Sequence, residues 1–159
     1  MKKVISIEIA LVLLLAGIMF LLLSTKEPRM DVTIEEVQNT FSSIKGDLEI
    51  DYADDLRIRS QLGINPAEHD MVVYYSSATD AMYVYEFLLI RTDEKSIDTI
   101  FSTLENHIST RLEAFRGYGE SQTALLEKAI IKQYGNYICL IVADEPSTWL
   151  EAVKELLEV

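Results

Sequence analysis

The stretch Val4 to Leu23, VISIEIALVLLLAGIMFLLL, constrains this chain more than any other, because no folded surface keeps such a run in water. At about 1.5 Å rise per helical residue it reaches roughly 30 Å, the thickness of a bilayer's hydrocarbon core. Residues 1–23 are therefore expected to form one transmembrane helix, 24–31 a short polar linker containing Pro28, and 32–159 a single domain. Lys2 and Lys3 precede the apolar run, which predicts a cytoplasmic amino terminus and an extracytoplasmic domain. Leucines fill the positions where a signal peptidase needs small residues, and Ser24-Thr25 stands where a lipoprotein needs cysteine, so a retained single-pass cell-membrane anchor is expected. Glu8 lies one turn inside the run and can extend toward water.

Charge narrows the partners. The sequence holds 14 basic and 26 acidic side chains; Lys2, Lys3, Lys26 and Arg29 with Glu8 and Glu27 belong to the apolar run and its flanks, leaving 10 against 24 and a net charge of −14 for the rest. Phosphate backbones and anionic headgroups repel such a surface, so nucleic acid is not an expected partner. Cys139 is the one cysteine, and no internal disulfide can form. Flanked by Ile138 and Leu140, it reads as a small buried apolar residue.

Along the domain, Thr33 and Glu36 form a capping box for a helix whose apolar stripe is Ile34, Val37, Phe41 and Ile44, ended by Gly46. Asp47, Glu49 and Asp51 alternate with Leu48, Ile50 and Tyr52 ahead of Asp54 and Asp55. The spacing resembles the start of a calcium loop without its glycine and closing glutamate, and equally a short half-buried strand with an acidic face. A helix over 55–62 stops at Gly63, and Asn65-Pro66-Ala67-Glu68 forms a single turn. His69, with no second ligand nearby in sequence, reads as a surface or capping side chain.

MVVYYS at 71–76 and MYVYEFLLIR at 82–91 read as an antiparallel pair. On the second strand Tyr83, Tyr85, Phe87 and Leu89 share one face and Met82, Val84, Glu86, Leu88 and Ile90 the other, so the strand should be covered on both sides. Glu86 stands alone among apolar neighbours. Pairing with an arginine is expected; a raised pKa and a general-acid role is the alternative, without a partner carboxylate or histidine at a recognisable spacing. A long helix capped by Asp93 carries Ile97, Ile100, Phe101, Leu104, Ile108, Leu112 and Phe115 at 3.6-residue period, with His107 off that stripe and Arg111 one turn on. Gly117-Tyr118-Gly119 breaks it, a helix over 120–128 follows, and 129–134 and 137–143 form a hairpin about Gly135-Asn136. Pro146 opens a last helix with Trp149, Ala152, Val153, Leu156 and Leu157 inward. LLIRTDEKS (88–96) and LIVADEPS (140–147) rhyme, suggesting a doubled β-β-α plan. The expected class is α+β: a four-stranded antiparallel sheet of two hairpins packed with amphipathic helices.

The residues VVYYSS, AMYVYEFLLIR, FRGYG and ESQTALLEKAIIKQYGNYICLIV together resemble an uncharacterised domain of membrane-anchored proteins and lipoproteins of Gram-positive bacteria. The resemblance runs over roughly Leu56 to Leu157 and implies location and fold, with no catalytic residues and no cofactor. The lipidated cysteine common in that family is missing from this chain.

No nucleophile elbow, metal-ligand spacing, phosphate loop or redox motif is present. The leading expectation is a non-catalytic binding or assembly module that docks another cell-envelope protein. Tyrosine is over-used at interfaces, which makes Tyr74, Tyr75, Tyr83, Tyr85 and Tyr118, with Glu86, the candidate binding residues. Two alternatives are an enzyme or accessory subunit acting on cell-wall glycan or peptide, through Glu86 or the acidic 47–55 stretch, and a calcium-dependent module. No metal ligand is assigned.

Overall fold

The computed structural model describes residues 12–14, 27–77, 80 and 82–159. Apart from Val12–Leu14, the apolar run read as a membrane span lies outside the described residues; among those described, no helix is long and apolar enough to cross a membrane.

The elements are α1 (Ile34–Ile44), β1 (Asp51–Tyr52), α2 (Asp55–Leu62), a 3₁₀ turn (Pro66–Glu68), β2 (Met71–Ser76), β3 (Glu86–Arg91), α3 (Glu94–Phe115), α4 (Glu120–Glu127), β4 (Ile130–Tyr134), β5 (Tyr137–Val142) and α5 (Pro146–Leu157). The fold is α+β, with one antiparallel sheet in the order β1-β2-β3-β5-β4. The expected four strands become five because the acidic stretch contributes β1, pairing Asp51 with Ser76 and Tyr52 with Tyr75 at the edge of β2.

Strands β2, β3 and β5 are near-continuous apolar runs and are buried on both faces, as such runs require. One face, with Val72, Tyr74, Leu88, Ile90, Ile138 and Leu140, is covered by α3 through Ile97, Ile100, Leu104 and Ile108, with Ile58 and Leu62 of α2 and Leu126 of α4. Val73, Tyr75, Phe87, Leu89, Cys139 and Ile141 make the other face, under Val37 and Phe41 of α1 and Trp149, Val153 and Leu157 of α5. Phe41 stacks on Phe87 at 4.5 Å and meets Trp149 edge-on at 5.2 Å. The two β-β-α units are present in connectivity, but α3 and α5 pack on opposite faces. A face-preserving two-fold axis between β3 and β5 therefore does not relate them.

The second strand of the first hairpin starts at Glu86, four residues later than its composition suggests. Register closes at Ser76–Glu86, and Asp80 turns the chain ahead of it, accepting from Met82 N at 2.8 Å through its carboxylate and from Tyr83 N at 3.1 Å through its carbonyl. The segment read as a linker is also different. Its described part, 27–31, is docked: Arg29 N donates to Leu157 O at 3.0 Å, Tyr137 Oη to Arg29 O at 2.9 Å, and Arg91 Nη1 to Met30 O at 2.7 Å and Val32 O at 3.2 Å. Polar composition concealed this, because the contacts use its backbone carbonyls.

The sheet consequently has two poles. The leading segment, the β3–α3 connection, the Gly135-Asn136 turn and the end of α5 lie at one. The α1–β1, β2–β3, α3–α4 and β5–α5 connections lie at the other, the distal pole.

Candidate functional site

The sequence candidates converge on the distal pole at two depths. Glu86, first residue of β3, is fully buried. On α3, His107 and Arg111 are one turn apart, so both reach the same carboxylate: His107 Nε2 lies 2.9 and 3.2 Å from its two oxygens, and Arg111 forms an ion pair with it. Glu86 is thus arginine-paired as expected, but it has a histidine partner that sequence spacing did not reveal. Arg111 Nη2 also donates to Tyr83 O at 3.4 Å, and Gln122 Nε2 to Met82 O at 3.3 Å, so the charged cluster and α4 hold the backbone just before β3.

Burial pushes the His107 imidazole below its ordinary value, with the Gln61 carbonyl of α2 pulling the other way, and burial also lowers the Arg111 guanidinium. Alongside, Ser76 Oγ donates to Gln61 Oε1 at 2.8 Å and shares a hydrogen bond with Tyr74. One carboxylate therefore ties β3 to α3, and through His107 to α2. Sealed from solvent and engaged on both oxygens, it is suited to positioning and has no opening through which to protonate a substrate.

The tyrosines separate by depth. Tyr74 and Tyr75 are 1% and 8% exposed, so they support this pole from beneath instead of lining it. Burial pushes the Tyr74 hydroxyl up to about 12. Tyr83 and Tyr85 are half-buried and in mutual contact at 5.0 Å, and Tyr118 is 67% exposed. Tyr85 Oη donates to Asp144 Oδ2 at 2.7 Å, across 59 positions of sequence; burial, with that carboxylate beside it, raises the phenol to about 12. Met82 and Tyr52 add exposed apolar surface at the same end.

An open cleft of about 340 Å³ lies beside Tyr83, with Lys45, Glu49, Asp51 and Asp80 in its walls. Asp54 does not join them: it caps α2, accepting from Arg57 N at 2.8 Å, while Asp55 pairs with Arg59 at 4.0 Å. Among the described residues no group of three or more His, Cys, Asp or Glu side chains could hold a metal ion. His69 bonds Thr92 Oγ1 at 2.8 Å, as a structural side chain does. Cys139 is fully buried, and burial pushes its thiol up to about 12, leaving it unreactive.

Sequence reasoning missed His107, Arg111 and Asp144. The first two carried a usable signal: two polar residues four apart, off the stripe of a helix packed on a strand with a lone carboxylate. Asp144 carried none, since its partner is distant in sequence.

Fold and site define a small α+β domain with a buried charged cluster beneath a tyrosine-bearing pole. The chain belongs to the family described as Domain of unknown function (DUF4358), whose profile matches residues 42–143. That range contains the whole sheet and most of the distal pole, and leaves out the docked leading segment, most of α1 and all of α5. No curated protein and no solved structure matches the chain.

Proposed function

We propose that this protein is a membrane-anchored, extracytoplasmic binding or assembly module that docks another cell-envelope protein through its distal pole. The anchor is Val4–Leu23, oriented by Lys2 and Lys3. The resemblance to membrane-anchored proteins and lipoproteins of Gram-positive bacteria supports the same location. The observation that carries the docking reading is the placement of Tyr83, Tyr85, Tyr118 and Met82 at one end of the sheet, Tyr83 and Tyr85 on the α1/α5 side and Tyr118 beside Phe115 on the α3 side, with the buried cluster and Gln122 fixing the backbone of Met82 and Tyr83. Rigid aromatic side chains at low entropic cost are what a recognition surface uses. In the test, the full-length protein carrying Tyr83→Ala, Tyr85→Ala and Tyr118→Ala is compared with wild type for proteins crosslinked in intact membranes. Loss of a specific crosslinked partner is expected; an unchanged set refutes docking at this pole.

A second reading, an enzyme or accessory subunit acting on cell-wall glycan or peptide, draws on the cleft walled by Glu49, Asp51 and Asp80. Paired carboxylates facing one cleft are what glycan hydrolysis needs. It predicts products released from cell-wall material and lost in Asp51→Asn and Asp80→Asn variants.

A further inference from the structure

We infer that the pole opposite the tyrosines is a membrane-contact surface, so that the domain stands upright on the bilayer with its distal pole displayed outward. This rests on reading Val4–Leu23 as the anchor. The first argument is chain length. Pro28 already packs on the domain, where a Cβ added at Gly135 would come within 2.8 Å of its Cγ. Only Ser24 to Glu27 separate Leu23 from Pro28. Fully extended, that connection spans at most about 18 Å.

The second argument is that the chain cannot peel away cheaply to lengthen it. Three backbone carbonyls and one amide of 29–32 are engaged by Arg91, Tyr137 and Leu157, and the Arg29 guanidinium pairs with Asp31 and Glu36, both at 2.7 Å. The third is surface chemistry. Met30, Ile34 and Val159 are apolar and 51%, 45% and 37% exposed; Met30 and Ile34 line an open groove with Arg91, Asp31 and Asp70, in which Asp31 is paired with Arg29 at 2.7 Å and Asp70 with Arg91 at 3.8 Å. An interfacial layer accommodates such side chains, whereas the acidic flanks are repelled by anionic headgroups and disfavour lying flat. The 22 residues of α3 run from this pole to the other, so its distal end, just before Tyr118, lies about 33 Å along the helix axis from its start, and Tyr83 stands level with Arg111 in its last turns.

Depth-dependent quenching tests this. Full-length Ala67→Cys, in the 3₁₀ turn next to His69, which bonds Thr92 of the β3–α3 connection at the proposed membrane-facing pole, and Ala114→Cys, at the distal end of α3, are labelled with a fluorophore and placed in 3:1 phosphatidylcholine:phosphatidylglycerol vesicles carrying a headgroup nitroxide; both positions are exposed, and Cys139 is buried. Severalfold stronger quenching at 67 than at 114 is expected. Ten Gly/Ser residues inserted after Thr25, adding roughly 17 Å of root-mean-square reach, should erase most of that difference. Equal quenching at both sites with the protein retained on vesicles overturns the orientation alone. Protein that fails to partition into vesicles overturns the anchor, and the orientation with it.

Discussion

Replacing Arg111 by methionine keeps the aliphatic stem and removes the guanidinium, leaving the fully buried Glu86 with His107 as its side-chain partner. Truncating one partner of a buried pair costs about 3–5 kcal/mol, because the remaining charge stays in a poorly solvated site. A surface pair is worth about 0–1 kcal/mol. The Arg111 side chain is 21% exposed and His107 stays at 2.9 Å, which places the loss near the lower bound, at about 3 kcal/mol. At about 3–5 °C per kcal/mol for a domain of this size, the melting temperature falls by roughly 10–15 °C. Adding Glu86→Leu removes the stranded charge, so the double variant is more stable than Arg111→Met alone, with a coupling energy of about 2 kcal/mol. Urea denaturation followed by fluorescence of Trp149, the single tryptophan, measures both. That residue packs on the opposite face of the sheet and so reports global unfolding. An Arg111→Met loss below about 1 kcal/mol, or single-variant losses that simply add, refutes a buried latch.

Three further outcomes follow from other parts of the fold. Glu36, held down to about 2 by the Thr33 amide and then by Arg29, has a folded-state pKa below its unfolded value of 4.5; its stabilisation is complete above pH 4.5 and is lost as pH falls toward 2, a slope that Glu36→Gln flattens in urea titrations. Gly135→Ala places a Cβ at φ +53 and 2.8 Å from Pro28, whereas Gly63→Ala, at φ +70, meets nothing within 4 Å. The Gly63 variant should lose about 1–2 kcal/mol and the Gly135 variant more, and equal losses would mean that Pro28 yields freely. Phe41→Ala empties a site between Tyr75, Phe87 and Trp149 and should cost about 3–5 kcal/mol by the same fluorescence assay, with a loss under 2 showing that the core collapses around it.

Much of the architecture is legible because local rules and tertiary structure agree. The Thr33–Glu36 capping box, the Asp93 cap, the Gly63 stop and the Gly135-Asn136 hairpin all appear where residue chemistry places them. What the sequence conceals is non-local. Whether residues 82–85 extend β3 depends on where β2 ends, and Asp80 redirects the chain there by hydrogen bonds that no hydrophobic pattern encodes. The two-residue β1 owes its existence to the edge of β2. Polar residues 27–31 look like a tether until Arg91 and Tyr137 are known to lie beside their carbonyls. The site follows the same division: Tyr118 is exposed in a glycine-flanked turn, as its context suggests, while the depth of Tyr74 and Tyr75 is decided by α3 and α1 closing over the two faces.

Photo-crosslinking in the native membrane tests the docking claim most directly. A benzophenone amino acid replaces Tyr118 at the distal pole, and in a matched variant it replaces Ser102 on the exposed flank of α3. Anchored docking predicts a discrete adduct with a second cell-envelope protein from position 118, absent from position 102 and absent when Val4–Leu23 is deleted. The same adducts from both positions, or none from 118 in membranes that retain the protein, would contradict it.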